Sequence, residues 1–367
     1  MTQSSSENPK EISGEAKTEP AITPERQQAE NFSVSQLACA YGGPVGSGTL
    51  RSTAEDFFVE EQLSFDLTGE GEHLFLFIEK RGENTADVAD MLAKIADVRQ
   101  MNVSYAGLKD RHAVTRQWFS ISLPGKPDPD FSALPDNIRI LDKKRNNRKL
   151  RRGALLGNRF ELRIRELDAD IDALVARLEA IKSGGFPNYF GEQRFGRGYG
   201  NLSRAIPVLA RGKTRRKSEG MNLSAVRSML FNLLLSKRVE LGRWCSHPLV
   251  GDVMQLGGSS SLFVAESIDA ELERRLNGAE INLTGCLCGK AARVMPVADA
   301  ADFEQQALAD YTFWINGLQR CKVDADRRSL RTTANDLQWE FQDDMLVVSF
   351  SLPKGSYATA LIRELIR

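Results

Sequence analysis

Between Gly107 and Trp118 the chain gathers Lys109, Asp110, Arg111, His112 and Arg116 into one short stretch. A carboxylate flanked by cations suits general-base or nucleophilic work, because a nearby opposite charge favours the ionised carboxyl. Lys109 and Asp110 would equally make an acid-base pair for a small substrate. The plain alternative is that Asp110 only turns the chain, as loop aspartates commonly do.

Two strands must hold this loop. Val103-Ser104-Tyr105-Ala106 before it and Trp118-Phe119-Ser120-Ile121-Ser122 after it alternate apolar with polar residues and are rich in β-branched and aromatic types, which is the strand period on both sides. Neighbours in an extended stretch face opposite ways. Lys109 and Arg111 therefore need not share a direction with Asp110, and the more distant Arg51 is an alternative charge partner.

The elements around these strands are mixed. Residues 48–80 read as strands about a turn at Thr68-Gly69-Glu70-Gly71, and Asn84 caps a helix with Val88, Met91, Leu92, Ile95 and Val98 at helical spacing. Asn158–Glu166 alternates with Phe160, Leu162 and Ile164 on one face, and 171–181 is an amphipathic helix. Helical runs then dominate 201–210 and 223–241. Strand residues return over 337–352 about an Asp343-Asp344 turn, and a last helix is expected over 356–366.

Composition sets bounds. With 367 residues, 41% of them hydrophobic, the chain can bury a sizeable core and is expected to form two domains. Lysine plus arginine equals aspartate plus glutamate at 49 each, which argues against coating nucleic acid by bulk charge. The charge is local instead. Lys143, Lys144, Arg145, Arg148, Lys149, Arg151 and Arg152 form one run, and Arg211, Lys213, Arg215, Arg216 and Lys217 another. Such runs are potential phosphate contacts or simply solvated loops. Residues 1–33, rich in Ser, Glu, Gln, Pro and Thr, are expected to be a disordered tail.

Five cysteines form no CxxC pair and the three histidines lie far apart, so free thiols in a reducing compartment and no metal site are expected. No apolar run approaches a membrane span or a signal core, which points to a cytoplasmic protein with no membrane partner. Gly212-Lys213-Thr214 resembles the end of a phosphate-binding loop, but Pro207 stands where the opening glycine is required.

Several motifs resemble, in order, those of the tRNA pseudouridine synthase D family. They are Ala54-Glu55-Asp56-Phe57-Phe58-Val59-Glu60-Glu61, Gly69-Glu70-Gly71-Glu72-His73-Leu74, Ala106 to Trp118, Pro187-Asn188-Tyr189-Phe190-Gly191-Glu192-Gln193-Arg194-Phe195-Gly196, and Leu352-Pro353-Lys354-Gly355-Ser356-Tyr357-Ala358-Thr359. The resemblance implies an α+β fold: a catalytic domain with a mostly antiparallel sheet over 34–211 and 333–367, and an inserted second α/β domain over 212–332. It implies a cofactor-independent isomerase, expected to be a monomer, that converts uridine to pseudouridine in tRNA, at uridine 13 of the D arm. Asp110 takes the place of the family's catalytic carboxylate, as nucleophile on C1′ or as base at C2′. Phe57, Asn188, Phe190, Tyr357 and Lys109 would meet the base, and Tyr357 stands where the family commonly has Phe. The amide of Asn188 offers the donor and acceptor that a uracil edge requires. Lys143, Lys144, Arg145, Arg148, Arg215 and Arg216 would meet the RNA backbone on either side of the cleft. A non-catalytic RNA-binding or tRNA-folding protein, and a small-molecule lyase or hydrolase, remain as alternatives.

Overall fold

The computed structural model describes residues 23–291 and 293–367. The first half of the chain runs α1 (Pro24–Asn31), β1 (Gly46–Leu50), β2 (Phe57–Leu63), β3 (His73–Arg81), α2 (Thr85–Ile95), β4 (Val103–Tyr105), β5 (Val114–Ser122), β6 (Ile138–Asn146), β7 (Leu155–Ala169), α3 (Ile171–Gly184) and β8 (Phe186–Pro187). The second half runs α4 (Gly200–Arg211), α5 (Glu219–Glu240), β9 (Val253–Leu256), β10 (Leu262–Val264), α6 (Ala270–Asn277), β11 (Ile281–Leu287), α7 (Ala298–Ala307), α8 (Thr312–Arg320), β12 (Asp326–Ser329), β13 (Arg331–Thr332), β14 (Asn335–Gln342), β15 (Met345–Pro353) and α9 (Ala358–Ile362).

Among the described residues the main sheet has nine strands, ordered β14-β15-β7-β2-β5-β3-β6, with β1 continuing the line of β2 along β7 and β4 pairing β5. All its pairings are antiparallel except β2 with β5, where Phe58 lies opposite Val114. The α+β class with a mostly antiparallel sheet is therefore the fold observed. The period-two patterns set its faces: Phe160, Leu162 and Ile164 of β7 and Leu346, Val348 and Phe350 of β15 are buried together beneath α3, α4 and α5. Leu74, Leu76 and Ile78 of β3 pack instead on Val88, Ala89 and Leu92 of α2.

A smaller antiparallel sheet, ordered β10-β9-β11-β12, packs on α5. The approach is close at Gly285, where a Cβ would stand 2.9 Å from Leu330 and 3.2 Å from Leu234. Two expectations, a disordered tail and a final helix, are corrected at the chain ends. The expected tail over 1–33 is already folded from Pro24: α1 buries Ala29, Phe32 packs on Phe195 at 5.0 Å between ring centroids, and Gln28 accepts from Trp314 Nε1 at 2.7 Å. Two apolar anchors and one bridging amide suffice where average composition pointed the other way; residues 1–22 of that tail lie outside the described residues. The last helix, expected over 356–366, spans only Ala358–Ile362, because the chain then turns so that Leu365 O accepts from Val45 N and Ile366 bridges to Gly46 beside β1.

Candidate active site

A cleft of about 490 Å³ opens on one face of the main sheet and holds Arg51, Phe57, Lys109, Asp110, Asn158 and Tyr357 in its wall. Strand pairing explains the gathering. Val59 lies opposite Phe160 and Glu61 opposite Asn158, so alternate residues of β2 and β7 share the floor. The parallel start of β5 beside β2 brings the 106–113 loop over that floor, and the segment after β15 returns across it as Gly355–Thr359.

The loop is pinned along its length. Gly153 N donates to Ala106 O, Gln117 Nε2 to Gly107 O, and Lys109 N to Thr85 Oγ1 at 3.0 Å. The Asp110 carboxylate stands 3.6 Å from Arg51 Nη2. Its sequence neighbours point elsewhere: Lys109 Nζ donates to Glu61 Oε2 at 2.7 Å with both side chains buried, and Arg111 Nε donates to Gly82 O. Lys109 thus has its charge answered inside the protein although it borders the cleft.

Arg51 adopts φ of 69°, uncommon for a residue with a Cβ, and lays its guanidinium 3.9 Å over the Phe57 ring. That contact is of the cation-π kind. The Nε of Arg51 is buried without a hydrogen-bond partner among the described residues.

Lys80 was not singled out by its sequence. It ends an apolar strand and is fully buried, with Nζ donating to Glu83 O at 2.7 Å and to Asp110 O at 3.1 Å. Burial pushes its pKa down to about 8, and the Asp110 charge opposes that shift only in part. The one available signal was a lysine at a strand position whose alternates are core residues.

The aromatic positions divide. Phe57 and Tyr357 border the cleft, while Phe190 sits behind Tyr357 at 5.8 Å and lines an adjoining cavity of about 390 Å³. Gly191 permits this edge-to-face packing, since a Cβ there would meet Thr359 Oγ1 at 2.7 Å and Tyr357 Cδ1 at 3.0 Å. Burial raises the Tyr357 phenol pKa while Arg194 and Arg328 oppose it, so the hydroxyl keeps its proton at neutral pH.

Asn188 is placed differently from the expectation of a free amide. Its Nδ2 donates to Ser329 O, and its Oδ1 accepts from Arg328 Nη2 at 2.6 Å and from Ser356 Oγ at 3.3 Å. Arg328, from β12, also donates to Gly355 O and lies 4.2 Å over Phe190. Burial pushes its pKa down to about 10. Asn188 and Arg328 therefore brace the wall of the cleft from behind.

The basic runs are spread out. Lys143 and Lys144 are exposed on edge strand β6 opposite Leu76 and Phe75, four to five positions along β3 from Lys80 and so roughly 13–17 Å from the pinned loop. Arg145 is spent on Asp128 and the carbonyl of Lys126, whereas Arg148 is exposed. Arg215 and Arg216 are exposed just before α5, whose residue Met221 reaches the cleft. Among the described residues, no helix is long and apolar enough to cross a membrane, and no group of three or more His, Cys, Asp or Glu side chains is placed to hold a metal ion.

These features have counterparts in known proteins. The family model described as tRNA pseudouridine synthase D (TruD) matches residues 39–215 and 204–365. The chain is 47% identical over 335 residues to tRNA pseudouridine synthase D of Aeromonas salmonicida, covering 90% of this chain and 94% of that one. It is 44% identical over 334 residues to the protein of the same name from Methylococcus capsulatus, again with 90% and 94% covered. A crystal structure described as tRNA pseudouridine synthase D from Methanosarcina mazei shares the fold, with a TM-score of 0.67 at 20% identity over 95% of this chain and 98% of that one. With matches spanning nearly the whole folded chain, the protein belongs to the tRNA pseudouridine synthase D family.

Proposed function

We propose that this protein isomerises uridine to pseudouridine in tRNA, at uridine 13 of the D arm, with Asp110 as the catalytic carboxylate. The observation that carries this reading is the Asp110–Arg51 pair at 3.6 Å in a cleft walled by Phe57 and Tyr357, in a chain of this family. The reaction breaks the N1–C1′ bond, turns the captive uracil and forms a C5–C1′ bond, while C5 loses a proton and N1 gains one. No net oxidation occurs, so no cofactor is called for. Asp110 would attack C1′ or take the C2′ proton, and Arg51, 3.6 Å away, would hold the carboxylate in place for either role. The target base must leave its stack, and Phe57 with Tyr357 offers it an aromatic enclosure.

In the same reading Lys143, Lys144, Arg148, Arg215 and Arg216 hold RNA phosphates, the 212–332 segment is an inserted domain that helps grip the tRNA, and the protein works as a cytoplasmic monomer. The test is tritium release from C5-labelled uridine in unmodified tRNA, with wild type and Asp110→Asn side by side and no added cofactor. Release by wild type alone is expected. RNA binding by a folded wild type with no release would point to a binding or folding role instead.

A further inference from the structure

One motif of the sequence has no place in the cleft. Cys286-Leu287-Cys288 lies at the end of β11 in the smaller sheet, where alternate residues share a face, and the two Sγ atoms stand 3.4 Å apart in a thiol-to-sulfur hydrogen bond. Cys39 and Cys321 instead donate to backbone carbonyls. Both sulfurs of the pair border a cavity of about 430 Å³ between α7, α8 and the ends of β11 and β12, where Met295, Leu308 and Ile315 supply apolar wall. The two thiols are free, and a small molecule entering that cavity would meet both.

The sulfurs are not equivalent. The bond to Cys288, with burial adding to it, raises the Cys286 pKa well above the usual thiol value, so Cys286 keeps its proton. Arg227 of α5 donates from Nη2 to Leu287 O at 3.4 Å, on the residue between the pair, and its charge reaches Cys288. The Nε of Arg227 is buried with no hydrogen-bond partner among the described residues. That spare capacity suits negative charge on the Cys288 sulfur. Across the ladder, β12 carries two arginines that face opposite ways. Arg327, opposite Cys286, borders the cavity and grips Glu304, while Arg328, opposite Gly285, holds Asn188 Oδ1 at 2.6 Å and Gly355 O at 2.9 Å in the cleft wall. One strand thus borders both the thiol pair and the cleft.

We propose that Cys286 and Cys288 form a redox modification site, closed to a disulfide by a small hydroperoxide that enters the cavity, and that closure slows catalysis by shifting β12 and its Arg328. The effect on rate rests on the reading of the cleft as a uridine isomerase site; the chemistry of the pair does not. The Cys288 sulfur attacks one peroxide oxygen and breaks the O–O bond, releasing water or an alcohol. Cys286 then attacks the sulfenic sulfur, forming the S–S bond and expelling water. The thiols give up two electrons and two protons, and the peroxide takes them. For this the sulfurs must close from 3.4 Å to the roughly 2.0 Å of a disulfide. Alternate residues of an extended strand stand about 6.6 Å apart, at the wide end of what a disulfide spans, so closure draws the strand end inward. Arg327 and Asp326 of β12, paired with Cys286 and Leu287, have to follow.

The test reads the modification and the rate separately. Reduced wild type is treated with hydrogen peroxide, remaining thiols are alkylated, and the tryptic peptide 276–290, which holds both cysteines, is weighed. It should lose two hydrogens and resist alkylation until dithiothreitol is added. Tritium release from C5-labelled tRNA should fall by about tenfold or more on oxidation, the scale of a displacement of order 1 Å at a supporting wall, and return with dithiothreitol. Cys286→Ser and Cys288→Ser should match reduced wild type and keep that rate in peroxide. Phenylarsine oxide, which bridges neighbouring thiols, should protect the pair from alkylation in wild type and in neither variant.

A folded wild type whose peptide 276–290 is still fully alkylated after peroxide would overturn the proposal. So would a disulfide that leaves the rate unchanged, or slowing that persists in both serine variants, since the effect would then not come from the pair. Should the serine variants fail to fold, Cys286→Ala and Cys288→Ala serve, because they remove each sulfur without placing a hydroxyl in the cavity wall. Reduced wild type that forms no pseudouridine on any tRNA would instead sink the reading of the cleft as an isomerase, while the peptide mass would still report on the thiol pair.

Discussion

Two sets of charged side chains in this molecule, one sealed in the core and one bordering the cleft, are built on opposite plans. Around the smaller sheet, Arg238 grips Asp252 with two bonds of 3.1 and 2.5 Å at 1% exposure, and Leu249 N fills a further site on that carboxylate. Arg327 likewise grips Glu304 at 2.9 and 2.7 Å and donates to both oxygens of Thr284. In the cleft, among the described residues, Arg51 meets Asp110 through one contact at 3.6 Å and leaves Nε unused, Asn158 Oδ1 has no partner, and Lys80 and Arg328 bind only carbonyl or amide oxygens. Saturated pairs hold a shape, because loss of either partner strands a buried charge. Unsaturated groups keep capacity for a ligand and carry its chemistry. Which region a substitution falls in should therefore decide whether stability or rate responds.

The contrast is sharpest at its two carboxylates. Asp110→Asn should lower the tritium-release rate by about 10³-fold or more while leaving the melting temperature near wild type. A rate within tenfold of wild type would break the contrast. Asp252→Asn should do the reverse, costing about 3 kcal/mol of unfolding free energy in urea melts by leaving Arg238 buried and unanswered. The residual folded fraction should keep a normal rate.

Lys80 lies between the two plans, since it is buried like the first set and touches Asp110 like the second. Lys80→Met should slow turnover by about tenfold with tRNA affinity unchanged, as expected when a reacting group loses its support. Its pH dependence follows from the lowered pKa. The folded value near 8 lies below the unfolded value of 10.5, so the fold loses stability as pH falls from about 10.5 to about 8, the range in which only the unfolded chain takes up the proton. Above about 8 the Nζ loses its charge, its bond to Asp110 O weakens, and the rate should fall. Asp110 supports the charged form; Lys109, itself answered by Glu61, opposes it, and Glu83 adds a smaller favourable effect. A pH–rate profile of Lys80→Met should lack that alkaline limb. The smallest effect is expected at the rim: Arg215→Glu with Arg216→Glu should weaken all tRNAs alike by about fivefold and flatten the salt dependence of binding, measured by filter binding. Loss for one tRNA alone would refute a backbone role.

What was legible in the sequence follows the range over which its causes act. Period-two burial in β7 and the turn at Asp343, which adopts φ of 52°, are local and could be read directly. So could the loop bearing Asp110, since strands on both sides announce it. The family motifs named Phe57, Asp110 and Tyr357, and these do line one cleft. The state of an amide was not legible, because it depends on partners far along the chain. Asn188 is consumed by Arg328, 140 residues away, while Asn158 is left bare by apolar neighbours. Lys80 hid for the same reason, its acceptor being a backbone carbonyl 30 residues on. The folded start at Pro24 depends on Trp314, at the other end of the chain.

The pairing of β7 with β15 also has a meaning for synthesis. β7 ends at Ala169, and its partner begins at Met345, so translation of everything between separates them by roughly 10–35 s at ordinary elongation rates. Throughout that interval the half-made sheet carries an unpaired edge over residues 157–164, the stretch that β15 later covers. The cleft wall at Tyr357 emerges later still. A nascent chain therefore completes the loop bearing Asp110 long before the wall at Tyr357 exists, and a chain stopped between β7 and β15 would leave that strand edge uncovered.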